Sequence, residues 1–169
     1  MRIVSRASLQ SLGSPLTYHK YAIEWLDFPT SLGFSSEELV LRVLSLSRPG
    51  FSIEKTNVEQ NGFRVSFAGK DTFPDSFSMT ILSTADGVAV DLLKNWKEYC
   101  VSTRTGGSVS PDIYKATFNA HSLAYDNETI VTTDTYHGVF PTEITPSGNF
   151  DTSVDAQAYE VTWNLDYLE

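Results

Sequence analysis

The sequence predicts a mainly β chain: a β-sandwich or barrel of two packed antiparallel sheets, one flanking α-helix at about 86–102, and a projecting hairpin at about 48–67. Three observations carry that expectation. Serine and threonine supply 37 of the 169 residues, and much of the chain alternates apolar with polar side chains, the pattern of strands with one wet face. One stretch only, Val88, Leu92, Trp96 and Cys100 with Leu93 and Tyr99 beside them, repeats apolar residues at helical spacing. Asn61-Gly62 between two limbs of strand-like sequence is the strongest short hairpin signal a sequence offers, because both turn positions need positive φ.

Taken in order, residues 1–17 lack periodicity and end in Gly13-Ser14-Pro15, so they read as a flexible N-terminal arm whose charged side chains are Arg2 and Arg6. Residues 18–169 read as a single β domain. In 18–28, Tyr21, Ile23 and Trp25 alternate with Ala22 and Glu24 and predict a strand, broken by Pro29 to Gly33. Residues 38–47 are rich in leucine and β-branched side chains with little polar face. They predict a central strand buried on both sides, with a short helix left open by the pattern. Arg48-Pro49-Gly50 turns the chain into the hairpin, limbs 51–60 and 63–67. Phe63, Val65 and Phe67 alternate cleanly, whereas Lys55, Thr56, Asn57, Glu59 and Gln60 read as polar on both faces of the incoming limb. A tip of that kind cannot be packed in its own core, so it should project.

Residues 76–83 alternate Phe77, Met79 and Ile81 against Ser76, Ser78 and Thr80, and Asp86-Gly87 is placed to cap the helix that follows. Strands are expected near 113–120 and 128–136, then a turn-rich segment at 137–144. The last strand sets Tyr159, Val161, Trp163, Leu165 and Tyr167 on one face. All three tryptophans fall on apolar faces and read as core.

Chemistry is hard to find. A single cysteine removes any internal disulfide framework, and its place on the helix stripe makes it a packed thiol. His121 and His137 follow no ligand spacing, there is no Gly-x-Ser-x-Gly elbow, and Gly69-Lys70-Asp71 lacks the Ser/Thr of a phosphate loop. No catalytic, cofactor-binding or metal-ligating residues are expected, and no cofactor. No apolar run reaches the ~20 residues of a membrane span. With no signal-peptide pattern at the N-terminus, the expectation is a soluble cytoplasmic product. The net charge of −9 is unevenly placed: residues 1–70 are slightly basic, and after Lys115 no lysine or arginine occurs. An acidic surface of that kind repels a phosphate backbone, so specific nucleic-acid binding is disfavoured.

Four stretches together resemble the tail tube proteins of contractile-tailed bacteriophages. These are Leu41-Arg42-Val43 leading to Arg48-Pro49-Gly50-Phe51; the Val90–Tyr99 helix with Trp96; Gly138-Val139-Phe140-Pro141-Thr142-Glu143-Ile144; and the Tyr159–Glu169 strand. The resemblance implies a β-sandwich or barrel with a flanking helix, assembled into hexameric rings that stack into a hollow tube for genome delivery. It implies a structural protein of the virion tail, made in the host cytoplasm, without catalytic residues and without membrane insertion. Its partners would be further copies of itself, a tail sheath, a baseplate or tube initiator, and a tail terminator. DNA would pass through without specific binding. Contacts between subunits are expected from Arg2 and Arg6 in the arm and from Arg48, Pro49, Lys55, Asn57, Glu59, Asn61 and Gly62 in the hairpin. Two alternatives remain: a tube initiator or the tube subunit of an injection or secretion machine, and, from another class, a monomeric β-sandwich module for carbohydrate.

Overall fold

A computed structural model describes residues 20–147 and 156–169. The predicted arm, with Arg2 and Arg6, lies outside the described residues. Among the described residues nine strands, β1 (Tyr21–Asp27), β2 (Val43–Leu46), β3 (Ser52–Gln60), β4 (Phe63–Thr72), β5 (Ser76–Leu82), β6 (Ala116–Leu123), β7 (Ile130–Ser147), β8 (Ala158–Asn164) and β9 (Tyr167–Leu168), are joined by α1 (Ser36–Val40), α2 (Val88–Cys100) and α3 (Pro111–Tyr114). The expected mainly β architecture with a flanking helix and an outlying hairpin is what the chain adopts.

Seven strands form one antiparallel sheet in the order β1-β6-β7-β8-β5-β2, with β9 added against β7, while β3 and β4 pair only with each other. The 18-residue β7 makes the sandwich. Its first half pairs with β6 and its second half with β8. At the change of partner sits Gly138, φ +69°, in the left-handed region that favours glycine. One sheet thus bends at β7 and faces itself. Its outermost strands approach without a ladder between them: the Tyr21 hydroxyl donates to the carbonyls of Val43 and Leu44 at 3.3 and 3.2 Å.

The core lies between the two halves and is aromatic. Trp163 on β8 packs with Trp25 on β1, Phe77 on β5 with Phe118 on β6, and Phe118 stacks on Tyr136 of β7. Helix α2 closes the open side by placing Trp96 against Trp25, Phe28 and Trp163. Leu92, Leu93, Trp96 and Cys100 of the predicted stripe are buried, joined by Ala89, whereas Val88 and Tyr99 are half-buried. Gly87 is the N-cap residue of α2, at φ +71° and without a side-chain capping bond, and Asp86 just before it accepts a hydrogen bond from the amide of Val88 at 3.1 Å. Arg42 bridges α1 to the start of α2, donating to the Glu38 carbonyl at 2.6 Å and to Asp86 at 2.8 Å.

Three expectations are corrected. Residues 38–47 are not a central buried strand. Ser35 and Glu38 form a capping box that starts α1, and β2 is a four-residue edge strand beside β5. The expected turn at 137–144 is continuous strand, because Gly138 supplies the bend and Pro141 sits where the β7–β8 register is irregular. The final strand breaks after Asn164. Leu165 remains buried, but Tyr167 pairs through β9 with β7 and stays half exposed, stacked on His137 at 4.2 Å.

Candidate functional site

The hairpin is the feature that the fold leaves unexplained. Asn61 (φ 52°) and Gly62 (φ 79°) form its two-residue turn, and the resulting register opposes Gln60 to Phe63, Val58 to Val65 and Thr56 to Phe67. Alternation then puts Val58, Phe63, Val65 and Phe67 on one face, where with Gln60 and Asn61 they line a shallow groove. The opposite face carries Lys55, Asn57, Glu59, Arg64 and Ser66. It is knit by a Ser66-to-Asn57 side-chain hydrogen bond of 2.9 Å and an Arg64–Glu59 ion pair of 3.6 Å. The sequence reading of a tip polar on both faces is therefore corrected. Val58 opposite Val65 extends the apolar alternation of β4 across the turn, a signal that the two-residue loop made available.

All residues of both strands are exposed. Phe63 is 77% exposed, so the apolar face has no cover from the described part of the chain. Lys55, Asn57 and Glu59 sit on the polar face, with Asn61 and Gly62 at the tip. Arg48 and Pro49 lie at the base, in the link from β2. There the Arg48 guanidinium grips one carboxylate oxygen of Asp134 on β7, at 2.6 Å from Nη2 and 3.1 Å from Nε. Phe51 and Phe73 meet edge to face at 5.8 Å and clasp the two links together. Asp134 carries no sequence signal as the partner of Arg48. Nothing in one chain's residue order brings position 134 to position 48.

Away from the hairpin the titratable side chains serve the fold. Burial pushes the Cys100 thiol up to about 11, so it is a packed, protonated side chain. The Asp126 carboxyl is held down at about 2 by hydrogen bonds from Thr129 and from the amides of Thr129 and Glu128, as a turn-forming residue. His121 bonds Thr133 and Glu24 on the outer face of the sheet. Among the described residues no group of three or more His, Cys, Asp or Glu is arranged to hold a metal ion, and no helix is long and apolar enough to cross a membrane.

No family model and no curated protein sequence matches the chain. Solved structures do. A chain of the tube-terminating cap of the anti-feeding prophage superposes with TM-score 0.65 and 12% identity over 93% of this chain and 91% of its own. A chain from the sheath/tube terminator of the PVC extracellular contractile injection system gives 0.64 and 13% over 94% and 97%. A chain from the sheath–tube complex of the same system gives 0.62 and 12% over 98% and 97%. Across nearly its whole length, the chain has the fold found in the sheath–tube, terminator and cap assemblies of contractile injection particles.

Proposed function

We propose that the chain is a structural, non-enzymatic subunit of the inner tube of a contractile tail or injection particle, forming hexameric rings that stack into a hollow conduit. The observation that carries this reading is the uncovered apolar face of the hairpin. An isolated two-stranded ribbon is marginal in water, and each of Val58, Phe63, Val65 and Phe67 would contribute about 1.5–3 kcal/mol if fully buried against another copy. The shared fold supports the same direction. In this reading Lys55, Asn57, Glu59, Asn61, Gly62 and the base residues Arg48 and Pro49 border the contact between copies. Arg2 and Arg6 bring a basic arm to the acidic second half of a neighbour. Sheath, baseplate and terminator proteins are the partners, the virion tail is the location, and the genome passes through a wall without specific contacts.

Electron microscopy of the purified protein at high concentration, beside size-exclusion chromatography, tests this. Hollow tubes or rings are expected. Phe63→Asp should abolish them while leaving the thermal transition of the body unchanged, and deletion of residues 1–14 should weaken polymerisation without unfolding the domain. A strictly monomeric wild type in the presence of its sheath and baseplate partners would overturn the proposal. The likeness to chains from terminator and cap structures favours a second reading, a ring that closes the end of a tube. That protein would stop at one ring where a tube subunit grows.

A further inference from the structure

The hairpin reaches the body through two short links, Arg48-Pro49-Gly50-Phe51 and Phe73-Pro74, and neither belongs to a sheet ladder. The segment 48–74 contributes no side chain to the core or to the partly buried apolar residues packed against it. Its hydrogen bonds and ion pairs run within the segment, Ser52 to Thr72, Ser66 to Asn57 and Arg64 to Glu59, with one exception. Among the described residues, the grip of Arg48 on Asp134 is the one polar side-chain contact that crosses from this segment to the body.

The two ends of that contact differ in stiffness. Asp134 lies on β7, paired to Ala120 of β6, two residues from Tyr136, which is fully buried and stacked on Phe118. It is fixed to the core. Arg48 precedes Pro49, which confines its backbone to extended conformations, so little further backbone freedom is lost when the residue is held. Gly50, next along, would meet nothing within 4 Å if it carried a Cβ. A stiff anchor therefore meets a soft link at one point, through a planar guanidinium that approaches one oxygen with two of its nitrogens.

We propose that Arg48 and Asp134 form the joint that sets the direction of the hairpin, as positioning residues that aim its apolar face for contact with a second copy. The proposal rests on reading the hairpin as a surface between copies. The Arg48 side chain is 54% exposed and that of Asp134 25%, so the joint is of the surface kind. Such pairs hold weakly and are screened by salt. Unlatched, the hairpin is free to swing about its links.

Spin labels at Glu59→Cys near the tip and Lys97→Cys on α2 measure the joint in the free chain by double electron–electron resonance, with the buried Cys100 left in place. A narrow distance distribution is expected. It should broaden in Arg48→Gln and in the wild-type background at high salt, and narrow again when Arg48→Glu is combined with Asp134→Arg. In unlabelled protein, Arg48→Gln should raise the concentration at which rings appear by about two- to fivefold, in keeping with a surface pair, and the exchanged pair should restore it. Circular dichroism melting of the body should stay unchanged throughout. An equally narrow distribution in Arg48→Gln overturns the proposal, as does a broadened one that leaves assembly unaltered. A wild type that never assembles with its partners overturns the tube reading instead, and the distance measurement still decides whether the joint exists.

Discussion

Gly138 cannot be replaced quietly. Its φ of +69° already disfavours any side chain, and a Cβ there would collide with the Asp166 side chain. Asp166 cannot easily retreat, because Lys115 binds one of its oxygens at 2.5 Å and Asn164 the other at 3.0 Å. Gly138→Ala should therefore lower stability by at least about 1–3 kcal/mol from the backbone alone, read by urea denaturation. Adding Asp166→Ala should return the part due to collision. Trp163→Ala, in a site with no exposure among Trp25, Phe77 and Trp96, should cost about 3–5 kcal/mol in the same assay. Tyr136 carries an ionisable group. Its hydroxyl is buried with no hydrogen-bond partner among the described residues, and burial, with Asp134 adding to it, pushes the phenol up to about 12. Tyr136→Phe should then be neutral or stabilising by about 1 kcal/mol. The phenol is more easily ionised unfolded than folded, so its contribution to stability is complete below pH 10, the ordinary value, and is lost as pH rises through about 12. A flatter alkaline limb in the stability–pH curve of Tyr136→Phe is the expected sign.

Elements were legible in proportion to how much of their surroundings their own residues contain. Helix α2 and strands β5 and β8 each bury one face against a continuous core, so their periodicity announced them. The Asn61-Gly62 hairpin was legible because its turn is set by two residues. What escaped is what depends on a distant partner. β2 is short and takes its place from β5, and β7 is one strand because its halves pair with different neighbours on either side of Gly138. The capping box of Ser35 and Glu38 was available and would have moved the start of 38–47 from strand to helix. Gly62→Val tests how separate the hairpin is. The turn has nothing within 4 Å of an added Cβ, so the penalty is backbone strain of roughly 1 kcal/mol or more for a β-branched residue at positive φ. Amide-proton chemical shifts of β3 and β4 should disperse less in this variant, while the melting temperature of the body stays put.

For the molecule as a whole, the fold and the uncovered hairpin pull apart two properties that single domains usually share. Stability resides in the folded sheet and α2, whereas the proposed capacity to assemble resides in a segment that adds nothing to that core. Changes in the hairpin should leave stability intact, whereas changes in the core should lower both, so variants sort into two classes. Trp163→Ala should lower stability and assembly together, and Phe63→Asp should lower assembly alone. Analytical ultracentrifugation beside thermal melting separates them. The candidate contact surface was legible in its location and not in its character, because a register of alternate residues decides which side chains share a face.

That register gives the hairpin a ruler. A nine-residue antiparallel strand spans about 30 Å at ~3.4 Å per residue, and its length fixes how far from the body the apolar face is offered. Removing one cross-strand pair shortens the reach by about 3.4 Å and also turns the outer side chains to the opposite face. Removing two pairs shortens it by about 7 Å and restores the facing. Reach and facing therefore change together in steps of two, and a lineage or a designer retuning the spacing between copies can move only in even strides.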